Sequence, residues 1–148
     1  MAKRIFIFTL LWIGFILAIS FMEAPLKFQA PSLTLPVGLE IGYLVFHALN
    51  GVEIFYAIVI TILTFRIKTP SRMRYLTVFI MIWLAMQTVL LYTVLDARTL
   101  AIINGEEVPE APYHLIYIGM EVAKLCLLIW LTGQQINWFE AQIRKSEI

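Results

Sequence analysis

Four long apolar stretches constrain this chain more than any other feature. Around residues 5–22, 38–65, 75–103 and 112–139 the sequence runs through Ile, Leu, Val, Phe and Met with few charges. As a helix, each stretch is long enough to cross a hydrocarbon core of about 30 Å. A backbone inside lipid has no water to bond, so it must satisfy its own N–H and C=O groups, and a helix does this within one segment. The expected fold is all-α: a polytopic membrane protein, an antiparallel four-transmembrane-helix bundle. Residues 1–148 then form a single transmembrane domain. Composition agrees, with 61% apolar and 14% charged residues and a mean hydropathy of +0.85. A soluble domain carries about 25% charged residues.

The first stretch has a rival reading as a cleaved signal peptide, because Ala18-Ile19-Ser20 resembles a small-x-small cleavage site. The apolar run is longer than a usual signal core and continues through Phe21 and Met22, which favours a first span. Residues 23–37 carry Pro25, Pro31 and Pro36 and read as a connection. Leu26, Phe28, Leu33 and Leu35 leave two options for it: a plain connector, or a segment on the membrane surface or folded over the bundle end. Residues 66–74 form a basic turn, with Pro70 opening the third helix. Asp96, Arg98 and Asn104-Gly105 imply that this helix runs past the membrane and then turns. Glu106, Glu107 and Glu110 precede a fourth helix opened by Pro109 and Pro112, and the tail to Ile148 reads as a frayed helix.

Lysine and arginine give the orientation. Lys3, Arg4, Arg66, Lys68, Arg72, Arg74, Arg144 and Lys145 fall on one side, and only Lys27 and Arg98 on the other. The positive-inside rule then puts both termini in the cytoplasm. Topology accounts fully for the basic turn, so nucleic acid is not an expected partner.

Polar residues inside the apolar stretches carry the functional signal. At about 100° per residue, His114, Tyr117, Glu121 and Lys124 share an arc of roughly 80° on one helix face, and Gln135 extends the stripe. Helix two repeats the spacing with Glu40, Tyr43, His47 and Asn50. This is either a two-plus-two repeat or simply the periodicity of an interior face. His47 and Glu121 lie about 10–14 Å below the outer ends of their helices. Counting along the helices puts His47, Asn50, Glu53, Gln87, Glu121 and Lys124 in one belt, with Tyr43, Tyr92, Tyr117 and His114 above it. A charge at the bilayer centre costs about 2.5–3.5 kcal/mol on insertion scales, so these groups are expected to face inward and pair. Lys124 has two candidate partners, Glu121 on its own helix and Glu53 on another.

The belt has two readings. One is a ligand pocket lined by His47, Asn50, Glu53, Gln87, Tyr117, Glu121 and Lys124. The other is interhelical glue, although measured contacts of that kind average only about 0.6 kcal/mol. His47 and His114 are the residues that would hold a haem or metal from two helices. No metal site is assigned and the cofactor is left unknown. Cys126, the sole cysteine, excludes an intrachain disulfide and a dithiol redox centre, and reads as a small buried hydrophobe. Gly14-xxx-Ala18, Gly38-xxx-Gly42 and Gly119-xxx-Ala123 read as close helix contacts.

The run Trp12-Ile13-Gly14, then Glu23-Ala24-Pro25-Leu26-Lys27-Phe28, then Gly42-Tyr43-Leu44-Val45-Phe46 resembles small uncharacterised bacterial four-helix membrane proteins. Those have a Trp-x-Gly first helix and a Pro-x-x-Phe exit, and are similar in outline to copper-resistance protein D. The resemblance implies a bacterial inner-membrane location. The Met- and His-rich copper signature has no counterpart here, and no functional residue is carried over.

The expected function is binding or transport of a small polar or amphipathic ligand in an intramembrane pocket open to the outer face, alone or as a subunit of a larger complex. Two alternatives stand beside it. One is a membrane-embedded acid–base enzyme, such as an isomerase of a lipid-like substrate. The other is a structural subunit without a ligand site. No catalytic residue is assigned. The expected partners are the lipid bilayer and either another membrane protein or a second copy of the chain.

Overall fold

Proline positions and hydropathy together divide the chain into four long helices. The computed structural model describes residues 4–67, 69–109 and 111–145. Lys3, Lys68, Glu110 and the end of the tail at 146–148, which entered the charge and tail readings, lie outside the described residues. The helices are α1 (Ile5–Lys27), α2 (Leu35–Arg66), α3 (Ser71–Ile103) and α4 (Tyr113–Arg144), each long and apolar enough to cross a membrane. No strand occurs among the described residues.

The first connection is shorter than the prolines predict. Helix α1 does not stop at Met22 but continues to Lys27. Proline in a regular helix loses a bond and clashes with the carbonyl four residues back. Here residues Leu17–Glu23 widen into a π-helical segment, in which the Ala24 N–H reaches back five residues to the Ile19 carbonyl. Pro25 then opens the short α-helical end at Ala24–Lys27. Pro36 lies in the first turn of α2, where its missing donor costs nothing. Only residues 28–34 remain as a connection. They fold over the bundle end: Phe28 and Leu33 side chains crowd Gly38, and the Lys27 ammonium crowds Gly42.

Helix α3 carries a second π segment, Leu91–Leu95, where the Asp96 N–H bonds the Leu91 carbonyl. Beyond it the helix runs on to Ile103, as expected. The turn that follows uses Gly105 at φ +79°, a conformation that costs glycine no Cβ clash. Helix α4 extends past Phe139 to Arg144, since nothing in residues 140–144 breaks a helix.

Each helix packs beside two others, α1 against α2 and α4, and α3 against α2 and α4. The interior has three tiers. An apolar tier holds Ile5, Trp12, Ile16, Ala57, Ile60, Ile80, Leu84, Leu128 and Leu131, with Thr9 donating to Gln135 at 2.8 Å within it. A polar tier comes next, and then a cavity between the helix ends. Outward-facing positions are mostly apolar, among them Leu10, Phe15, Phe55, Ile62, Phe79, Ile82 and Ile129.

Three close-contact and burial expectations need correction. An added Cβ at Gly14 or Gly119 would meet nothing within 4 Å, so only the Gly38–Gly42 stripe marks a close approach. Cys126 is exposed rather than buried. It falls two positions after Lys124, about 200° round the helix, and so faces outward.

Candidate functional site

The polar tier is built from one stripe on each of four helices. Tyr117, Glu121, Lys124, Leu128 and Gln135 are buried on α4, and Asn50, Glu53 and Ala57 on α2. Lys124 and Glu53 are 0% exposed, Gln87 and Asn50 1%, and Glu121 2%. Lys124 touches both candidate partners: it pairs with Glu53 Oε1 and with Glu121 Oε2 at 3.1 Å. The first contact crosses the bundle diagonal from α4 to α2, and the second stays on α4.

Further donors complete the network. Trp12 Nε1 donates to Glu53 Oε1 at 3.0 Å. Gln87 Nε2 donates to Glu121 Oε2, and Ser20 Oγ donates to Glu121 Oε1 at 3.2 Å. Asn50 Nδ2 donates to Thr88 Oγ1 at 2.8 Å. Buried acceptors normally find a donor, because leaving one unmade costs its full desolvation. Among the described residues Glu53 Oε2, Asn50 Oδ1 and Gln87 Oε1 have none.

The expected pocket and the observed cavity are not the same place. A cavity of about 570 Å³ lies at the bundle end formed by Ser20–Phe28, Gly38–Phe46, Leu91–Ile102 and Ala111–Glu121. Of the seven residues expected to line a pocket, only Tyr117 and Glu121 border it. Asn50, Glu53, Gln87 and Lys124 are packed beneath, in the closed network. His47 belongs to neither group. Its ring is stacked near Tyr43 and edge-on to Tyr92. Its Nδ1 donates to the Tyr43 carbonyl at 2.7 Å, and its Nε2 lies 3.0 Å from Asp96 Oδ2. His114 does border the cavity. The two histidines therefore occupy different environments. Among the described residues no group of three or more His, Cys, Asp or Glu is placed to hold a metal.

Lys27, Asp96 and Arg98 border the cavity and did not stand out in the sequence as pocket residues. Counted at about 100° per residue, Asp96 falls about 180° from Gln87, on the opposite face. The π segment between them under-rotates the helix and swings Asp96 toward α2, where His47 meets it. A signal for the cations did exist. Lys27 and Arg98 are the two exceptions to the basic bias of the other side, and both sit on this cavity. Lys27 is held 3.4 Å from Glu23 Oε2 and lies 5.5 Å from the ring centres of both Phe28 and Phe46. Arg98 donates to the Pro109 carbonyl at 2.5 Å and lies over the Tyr113 ring. The rest of the lining is mostly apolar, including Phe21, Leu39, Phe46, Leu91, Leu95 and Ile118.

The offsets shared by α2 and α4 give shared environments only in part: Tyr43 and Tyr117 both border the cavity, and Asn50 and Lys124 are both buried. Glu40 and His114 are both exposed, though only His114 borders the cavity, and His47 pairs with an acid where Glu121 pairs with a base. No family model, curated protein or solved structure matches this chain.

Proposed function

We propose that the chain is an integral membrane protein, an antiparallel four-helix bundle whose end cavity binds an amphipathic ligand with an apolar body and a small acidic head. Two observations support insertion: apolar residues face outward, and charged residues occupy the centre. The order of contacts supports antiparallel packing, since Thr9 meets Gln135 while Ser20 meets Glu121 on the same helix pair. The basic bias of the opposite end supports cytoplasmic termini, with the cavity end outside.

The cavity carries the ligand reading. Its volume of about 570 Å³ falls in the range of small-molecule sites, about 300–1,000 Å³, which are mostly apolar with a few placed polar groups. At the wall the Arg98 guanidinium is bonded to a neutral carbonyl and the Lys27 ammonium is shared with Glu23, while Asp96 is engaged by His47 and Glu121 by Lys124. An acidic head is thus the complementary one. Mass spectrometry of small molecules extracted from protein purified out of its membrane tests the proposal. The wild type retains an amphipathic acid, and Ala24→Phe, which fills the cavity from its wall, loses it. Equal recovery from both proteins, or recovery of bulk lipid alone, overturns the reading.

A further inference from the structure

Beneath the cavity, the polar tier holds two carboxyl groups and one amine. Glu53, Glu121 and Lys124 are all at most 2% exposed, and Lys124 Nζ contacts both acids. Fully ionised, the three would leave one negative charge on side chains that are at most 2% exposed. Among the described residues no second cation joins these contacts. From α1 the facing groups are Trp12 and Ser20, from α3 Gln87 and from α4 Tyr117, with Asn50 and Thr88 just beyond. Lys27 and Arg98 are held at the cavity wall by Glu23 and the Pro109 carbonyl.

The two carboxyls are not equivalent. Glu121 accepts from three donors, Lys124, Gln87 and Ser20, which together use both of its oxygens. Glu53 accepts from Lys124 and Trp12, both on Oε1, and its Oε2 is buried without a partner among the described residues. An isolated charge in low dielectric is strongly disfavoured, and a shared proton is the usual remedy for two acids around too few cations.

We propose that the Glu53–Lys124–Glu121 cluster is a proton-binding site that holds one exchangeable proton on Glu53 Oε2. Binding converts a carboxylate to a carboxyl by forming one O–H bond, with no other bond broken, and leaves the cluster neutral. A metal cation is the less suited occupant, since hard cations take about six or more oxygens and the unpartnered oxygens here are few. The proton's route is through Glu121 and Ser20, which belong to the cluster and also border the cavity. This site is separate from the ligand reading, because it requires no molecule in the cavity.

Infrared difference spectroscopy of the reconstituted protein counts protonated carboxyls directly, through the C=O stretch that shifts in heavy water. Charge balance predicts one buried protonated carboxyl in the wild type. It predicts none in Glu53→Gln or Glu121→Gln, because Lys124 then neutralises the single remaining acid. It predicts two in Lys124→Met. The absence of a buried protonated carboxyl in the folded wild type overturns the proposal even if no variant folds. So does a wild-type band that survives both Gln substitutions, or one that appears only when sodium is withheld, which would assign the site to a metal cation.

Discussion

Lys124 reaches across the bundle diagonal to Glu53 while also holding Glu121, three residues back on its own helix. One ammonium therefore ties α2 and α4, two helices that are not packing neighbours, through the centre of the molecule. Measured interhelical polar contacts are weak on average. An ammonium between a buried carboxyl and a buried carboxylate behaves differently, because removing it leaves the carboxylate uncompensated until it too takes up a proton.

Lys124→Met is accordingly expected to destabilise the fold by about 3–5 kcal/mol, the usual cost of leaving a buried charge uncompensated. Combining it with Glu53→Gln, and separately with Glu121→Gln, should cost less than the sum in both cycles. Unfolding equilibria in mixed detergent micelles measure this. Additivity in either cycle would remove that acid from the pair.

Trp12→Phe keeps the ring volume near Glu53 but deletes the indole donor. The acceptor is the carbonyl oxygen of a neutral carboxyl, so the loss should be that of an ordinary hydrogen bond, about 0.5–1.5 kcal/mol. In a Glu53→Leu background the same substitution should cost clearly less. An unchanged cost there would show that the ring, not the N–H, is what matters.

His47 borders the cavity only through its partner. With His47→Leu, Asp96 loses the ring nitrogen 3.0 Å from its carboxylate. That leaves an uncovered negative charge at a wall where Lys27 and Arg98 would meet an acidic head. Recovery of the acidic ligand should fall, and His47→Leu combined with Asp96→Asn should restore it. Loss that persists in the double variant would give His47 a direct role.

Orientation is checked by impermeant thiol labelling in a Cys126→Ser background, with single cysteines at Pro31 and Glu107. Both positions should react from outside intact cells. Reaction only after the cytoplasmic face is opened would invert the topology.

Hydropathy made the four helices legible, and helical periodicity found the buried faces of Glu121, Lys124, Asn50 and Glu53. The rest escaped for physical reasons. Two π segments break the 3.6-residue count: one carries α1 through Pro25, and the other turns Asp96 to His47. Depth counting placed His47, Gln87 and Lys124 at one level, but level does not distinguish a sealed network from a cavity wall. Lys27 and Arg98 were visible as charges on the wrong side of the basic bias, and they proved to mark the cavity.

The most direct measurement is a high-resolution map of the protein in a nanodisc made from its own membrane lipids. The account predicts one elongated non-protein density between the end of α1 and the start of α4, with its head near Lys27 and Arg98 and the Glu53–Lys124–Glu121 cluster closed beneath it. A cavity collapsed onto its own side chains, or filled by water alone, would contradict it.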